Sequence, residues 1–305
     1  MRQIVGIGET IIDIIFRDNR PVSANAGGST FNTFISLGRM HMNAFFVSQV
    51  GNDRLGRMAC DFLRANNISD CYVNLRPDAK TPVALAFLDK NNDAEYAFYK
   101  DAPKQLPEFS CPDMHEDDIF VFGSYFALNK DFRTGVNRLL QQAANARSIV
   151  YYDPNFRPSH IAELPQLLPV IEQNFASADV VRGSDEDFFF IYGEKDVRKI
   201  YKKISAYCPN LIVTCGKDGV CVCTPMFCKH YESPSVEVKS TVGAGDNFNA
   251  GFIYGLNKYN ITKKVLPLLL ENKWDDLVRC AMAFSSNVCC SLENYISHEF
   301  AENFK

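Results

Sequence analysis

No stretch of the 305 residues is apolar for the ~20 residues that a membrane-spanning helix needs. The first residues, Met1-Arg2-Gln3-Ile4-Val5-Gly6-Ile7-Gly8, lack the apolar centre and cleavage site of a secretory leader and read as a strand. A cytoplasmic protein is therefore expected. No long run of one charge sign occurs, and the net charge is only −4. Binding to nucleic acid or to a membrane surface calls for concentrated charge, so neither partner is expected. Internal repeats, low-complexity linkers and a domain boundary are missing too, which predicts a single domain over 1–305. Paired C-x-x-C knuckles are absent, although the chain has 11 cysteines. An odd count in a long chain points to free thiols rather than a disulfide framework. Cys215, Cys221, Cys223 and Cys228 cluster ahead of His230, but Cys221 and Cys223 alternate with valines, as on one face of a strand. Core thiols fit that spacing better than zinc ligands.

What is present is ample core material, at 47% hydrophobic residues. Apolar strands alternate with helical patterns. Ile4–Gly8, Ala44–Val50, Ile119–Gly123, Ile149–Tyr152, Val180–Val181 and Leu211–Thr214 read as strands. Helices are expected around Leu55–Leu63, Phe132–Ala146 and Trp274–Val288. That rhythm predicts an α/β fold, with a mostly parallel sheet covered by helices on both faces. Gly6-Ile7-Gly8 begins a dinucleotide fingerprint but lacks the third glycine, and it runs into Ile11–Ile15 rather than a helix. This disfavours a Rossmann dehydrogenase. Val83–Leu88 and Tyr96–Tyr99 break the rhythm as a hairpin around Lys90-Asn91-Asn92-Asp93, a candidate flap followed by Lys100.

Several segments carry chemistry. Lys239-Ser240-Thr241-Val242-Gly243-Ala244-Gly245-Asp246 precedes a helical pattern. Small residues let backbone N–H groups approach a ligand, and the unpaired N–H groups of a helix start favour an anion. Asp246 beside such a site is placed to take a proton from an attacking hydroxyl; its structural alternative is a helix cap. Anion site plus carboxylate suggests phosphoryl transfer to an alcohol. Ala26-Gly27-Gly28-Ser29-Thr30-Phe31-Asn32 offers a second close approach with an amide, or else a plain turn capped by Ser29 or Thr30. Asp13 stands alone among isoleucines and is costly to bury without partners; it faces either solvent or, the favoured reading, a polyhydroxyl ligand. Asp153-Pro154-Asn155-Phe156-Arg157 and Ser184-Asp185-Glu186-Asp187 end strands, where open α/β sheets bind ligands. The acids of the second segment can cap a helix or orient magnesium through water. Thr214-Cys215-Gly216-Lys217-Asp218-Gly219 can line a phosphate or form a hairpin turn.

In this order the segments resemble the ribokinase-like (PfkB) carbohydrate kinases over nearly the whole chain. Ala26-Gly27-Gly28 with Asn32, and Thr241 to Asp246, carry most of the resemblance. It implies a small β lid from about 11–25 and 82–101, and an exposed β lid invites pairing with a second copy, so a homodimer through the lid is expected. It implies Asp246 as the base and Gly243, Ala244 and Gly245 as the anion hole. Asp13, Gly27, Gly28, Asn32, Lys100, Asn155 and Arg157 would surround the sugar. Thr214, Gly216 and Gly219 would face ATP, Ser285 and Asn287 would border its adenine, and Asp187 would meet Mg2+ indirectly. Ser240 stands where the family carries an Asp of its monovalent-cation site, which leaves K+ an open question beside ATP and Mg2+. The family's Asn-x-x-Glu appears as Ser184-x-x-Asp187. Lys100 replaces an arginine and loses its bidentate fork, which disfavours a planar carboxylate on the substrate. The Asp153–Arg157 segment resembles the fructokinase and 2-keto-3-deoxygluconate kinase branch. The resemblance thus implies an ATP-dependent, fructokinase-like kinase of a ketose. A 2-keto-3-deoxygluconate kinase and a catalytically silent sugar- or nucleotide-binding protein are the alternatives.

Overall fold

A computed structural model describes residues 2–88, 94–101 and 108–304 of the chain. It opens with β1 (Ile4–Ile7), β2 (Ile11–Arg17), β3 (Arg20–Gly27), α1 (Ser29–Arg39), β4 (Ala44–Gly51), α2 (Arg54–Ala65) and β5 (Val73–Arg76). Next come β6 (Val83–Leu88), β7 (Ala94–Tyr99), β8 (Ile119–Gly123), α3 (Lys130–Ala146), β9 (Ile149–Asp153), α4 (Leu164–Ser177), β10 (Val180–Ser184), α5 (Asp185–Tyr192), α6 (Val197–Ile204) and β11 (Leu211–Thr214). The chain finishes with β12 (Val220–Cys223), β13 (Cys228–Tyr231), α7 (Ala244–Lys258), α8 (Glu271–Cys289) and α9 (His298–Asn303). The expected hairpin turn at 90–93 lies outside the described residues.

Nine strands form one sheet in the order β13-β12-β11-β10-β9-β8-β1-β4-β5. From β11 to β5 every neighbouring pair is parallel, and β12 and β13 return antiparallel. The central strands are buried on both faces, which is why they read as continuous apolar runs. Alternation divides their side chains between two cores. Ile4, Ile149 and Tyr151 join Phe31 and Phe34 of α1, Phe252 of α7 and Trp274 of α8. Val5, Ile7, Val150 and Tyr152 join Val136 of α3, Phe175 of α4 and Phe188 of α5. Because β1, β8, β9, β10 and β11 are parallel, their C-terminal ends share one edge, where Glu9, Ser124, Asn155, Asp185 and Cys215 emerge.

A second sheet has the order β3-β2-β6-β7. β2 pairs antiparallel with β3 and parallel with β6, and β6 pairs antiparallel with β7. Phe16 and Phe87 stack within it, with ring centroids 4.9 Å apart. β3 then delivers Gly27 and Gly28 straight into α1. Among the described residues no helix is long and apolar enough to cross a membrane.

One cysteine pair departs from the free-thiol expectation. The β12–β13 register sets Cys223 directly opposite Cys228, with Cα atoms 4.1 Å apart, and the two form a disulfide. The other nine cysteines are free.

Candidate active site

The centre of the site is the start of α7. Gly243 caps the helix in the left-handed region at φ 79°, and no side chain bonds to the first-turn N–H groups. A Cβ on Gly243 would lie 2.7 Å from the Asn294 carbonyl oxygen, so both conformation and space demand glycine there. The result is an uncapped N-terminus, electrostatically suited to an anion.

Asp246 lies in that first turn but does not cap it. Its carboxylate turns to α1, where Ser29 Oγ donates to Oδ1 at 2.7 Å and Asn32 Nδ2 donates to Oδ2 at 2.8 Å. Thr33 Oγ1 donates to the Asp246 carbonyl at 2.8 Å and locks the two helices together. Burial, helped by the charge of Asp153, pushes the Asp246 carboxyl up to about 6; Asn32, Ser29 and Arg157 oppose that shift. The carboxylate group lies deep among protein atoms, while residue 246 as a whole retains partly accessible surface. A carboxylate of this kind is ionised at neutral pH yet basic enough to accept a proton.

On one side of it lie Asp13, Gly27, Gly28 and Asn32. A Cβ on Gly27 would fall 2.7 Å from Asp13 Oδ2 and 3.8 Å from Asn32 Oδ1, so the three converge on one small space. Asn32 Oδ1 is buried with no hydrogen-bond partner, an acceptor that asks for a donor. Burial pushes Asp13 up to about 6, helped by Glu9 and opposed by Lys100. Gly28 sits at φ 129°, and a Cβ there would lie 2.2 Å from the Glu9 carbonyl. Lys100 Nζ is bonded to Glu9 at 2.8 Å, so its charge is already paired.

On the other side lie the ends of β9, β10 and β11. Asp153 is buried; it accepts from Arg182 Nη1 at 2.8 Å, from Asn249 Nδ2 at 2.7 Å and from the Asn155 N–H at 3.0 Å. Asn155 occupies the left-handed region at φ 39°, which asparagine tolerates. Arg157 is exposed, near enough for its charge to act on Asp246. Thr214 Oγ1 accepts from Arg182 Nη2 at 2.6 Å. Gly216, at φ 55°, has open space at its Cβ position; at Gly219, φ 92°, a Cβ would lie 2.0 Å from the Tyr231 carbonyl. Beside them Cys215 shares a hydrogen bond with Cys221, and this, together with His230, pulls the Cys221 thiol down.

Asp187 is the N3 residue of a capping box: its Oδ2 accepts from the Ser184 N–H at 2.6 Å and from Ser184 Oγ at 2.7 Å. Burial, with Asp153 nearby, raises its pKa. Among the described residues no three His, Cys, Asp or Glu side chains converge to hold a metal. Ser285 and Asn287 sit half-buried on α8, and Asn287 Oδ1 accepts from the Ser297 N–H at 2.9 Å. The fold thus gathers Asp13, Gly27, Asn32 and Asp246 around one space and sets Thr214 near Gly245 through Arg182. Sequence reasoning read Ser29 only as a cap candidate and gave no role to Glu9 or Arg182. A lone arginine at the end of an apolar strand was the signal available for the last.

A carboxylate held against an uncapped helix N-terminus, at the C-terminal edge of a parallel sheet, is an arrangement suited to phosphoryl transfer. The profile described as "pfkB family carbohydrate kinase" matches residues 1–299. The chain belongs to that family, and is accordingly a phosphotransferase with an alcohol group as acceptor. A fructokinase of Rhizobium leguminosarum bv. trifolii is 30% identical over 277 residues, covering 86% of this chain and 82% of its own. The crystal structure of Xylella fastidiosa fructokinase with bound ATP has a TM-score of 0.86 at 20% identity, over 98% of this chain and 97% of that one. A double mutant of Vibrio cholerae O395 fructokinase, in a fructose-, ADP- and potassium-bound form, has a TM-score of 0.84 at 20% identity, over 96% and 94%. At those identities the two structures establish the ribokinase-like fold alone.

Proposed function

We propose that this carbohydrate kinase is fructokinase-like, transferring the γ-phosphoryl group of ATP to a hydroxyl of a ketose. The observation that carries the reading is the pairing of Asp246 with Asn32. One end of the Asn32 amide holds the base, while the other end, Oδ1, is buried and unpartnered beside Asp13. A sugar hydroxyl is both donor and acceptor and satisfies that arrangement. Asp13, Gly27, Gly28 and Asn32 hold the sugar, with Lys100, Asn155 and Arg157 at its periphery. Asp246 takes the proton of the attacking hydroxyl. The Gly243-Ala244-Gly245 turn receives the charge that builds on the transferring group, so positioning and preset dipoles supply most of the rate. Thr214, Gly216 and Gly219 face the phosphates, and Ser285 and Asn287 border the adenine.

A neutral sugar suits the site better than 2-keto-3-deoxygluconate. Lys100 is neutralised by Glu9, and Asp13 adds negative charge. Magnesium is required as the ATP complex, where it neutralises phosphate charge. Phosphate oxygens and water would hold it, and Asp187, whose Oδ2 is engaged by Ser184, would meet it only indirectly. Ser240 supplies no carboxylate for a monovalent cation, so the dependence on K+ is weaker than in members that carry an Asp there. The chain works as one domain over 1–305, with the 11–25 and 82–101 strands as a lid. Two copies pair through that lid, in the cytoplasm. The test is a panel of sugars with ATP and Mg2+, with and without K+, followed by ADP release. Fructose is expected to give the highest kcat/KM. The absence of sugar-dependent ADP with every sugar would refute the reading.

A further inference from the structure

Arg182 is unused by the mechanism above. Its side chain is 7% exposed, and its guanidinium touches three separate elements. Nη1 donates to Asp153 on β9, and Nη2 donates to Thr214 on β11. A Cβ on Gly245, in the first turn of α7, would fall 2.8 Å from Nη1 and 2.9 Å from Nη2. The group therefore lies directly behind the turn. Nε is buried with no partner. A buried guanidinium is costly unless its charge and every N–H are used, and a packed aliphatic side chain would fill the same volume without that cost.

We propose that Arg182 is a positioning residue for phosphoryl transfer: its guanidinium backs the Gly243-Ala244-Gly245 turn and ties the Asp153 side of the cleft to the Thr214 side. The inference rests on the kinase reading and deepens it. A helix N-terminus offers roughly half a positive charge. Arg182 adds a full charge behind it, partly offset by Asp153, whose Oδ2 also accepts from Asn249. Only a planar fork reaches Asp153 and Thr214 at once while lying flat enough for Gly245 to approach. Gly245 is thus glycine because the arginine occupies its side-chain space. In this arrangement the anion site and the Thr214 loop move as one unit, because one rigid group bonds to Thr214 and packs against the turn.

The charges that face Arg182 are Asp153, Asp187 and the Tyr151 hydroxyl; those that face Asp246 are Asp153 and Arg157. Removing the guanidinium leaves Asp153 uncompensated beside the base, so the acid limb of the rate profile moves to higher pH. A purely structural arginine moves melting temperature but leaves kcat at the optimum pH unchanged.

The test uses the full chain with fructose and Mg–ATP. Arg182→Met is expected to lower kcat by about 10²-fold, as loss of a preset donor does, with the sugar KM within about threefold. Arg182→Lys is expected to recover part of kcat, because it restores charge without the fork. Gly245→Ala, which keeps the arginine's charge but drives a methyl against Nη1 and Nη2, is expected to lower kcat likewise. Unchanged kcat at the optimum pH in both Arg182 variants would overturn the inference while leaving the kinase reading intact. If both Arg182 variants fail to fold, an undiminished kcat in Gly245→Ala overturns it. A wild-type protein that turns over no sugar refutes the kinase reading instead.

Discussion

Asp246→Asn separates chemistry from structure with little rearrangement. The amide is isosteric with the carboxylate, and both hydrogen bonds survive. The oxygen of the introduced amide accepts from Asn32 Nδ2, while its NH2 group donates to Ser29 Oγ, whose hydroxyl turns from donor to acceptor. What disappears is the ability to take a proton, so kcat is expected to fall by about 10²–10⁴-fold with the sugar KM little changed. Stability moves the other way. Asp246 has its pKa raised from 3.8 to about 6 in the fold, so its protonated form is favoured there. That stabilising term is fully present below its ordinary value and is lost as pH rises through 6. At one pKa unit per 1.36 kcal/mol the shift sets an upper bound of about 3 kcal/mol; solvent reaching the cleft reduces it to roughly 1–2 kcal/mol. The variant should therefore melt a few degrees higher than wild type at pH 8, with the gap closing toward pH 4. Coupled ADP release and thermal melts at the two pH values make the test. A kcat within tenfold of wild type, or a lower melting temperature at pH 8, would refute the reasoning.

Wild-type kcat/KM is expected to fall as pH drops through about 6, where Asp246 protonates; a flat profile down to pH 5 counts against Asp246 as base. Asp13→Ala should raise the sugar KM far more than the ATP KM, and equal effects on both would remove Asp13 from the sugar site. Gly27→Ala places a methyl 2.7 Å from Asp13 Oδ2, so it should mimic Asp13→Ala in sugar KM while destabilising by about 1–3 kcal/mol. Cys215 and Cys221 share a hydrogen bond with His230 close by, so one thiol of this pair should react with iodoacetamide at pH 7 ahead of the buried Cys60, Cys208 and Cys280; mass spectrometry that finds any of those three labelled first would contradict this.

The parts of the fold legible in the sequence were those where burial is two-sided. Ile119–Gly123 and Ile149–Tyr152 announce themselves because both faces of each strand meet core. β3 was not legible as a strand from its own residues. Most of Arg20–Gly27 is exposed and carries Pro21, and its conformation is imposed by pairing with β2. Asp13 was readable because an isolated acid among isoleucines demands a reason. Asp187 carried two readings, a helix cap and a partner for magnesium. Ser-x-x-Asp satisfies a capping box on its own, and the structure shows that box formed. Arg182 was hidden because its partners depend on strand order. Asp153 and Thr214 lie 29 and 32 positions away in sequence and become neighbours only when β9, β10 and β11 align in parallel.

Ser29 and Asp246 are 217 positions apart, yet share a hydrogen bond. The site therefore forms only when α1 and α7 are both in place. Such distant contacts are entropically slow to close, and during synthesis α1 emerges long before α7 exists. Until then the Asn32 amide has no carboxylate to hold, and any nascent or truncated chain ending before residue 246 lacks the proposed base altogether. Turnover would report completion of the whole chain, so catalytic activity can serve as the slow clock in a refolding experiment while helix content returns earlier.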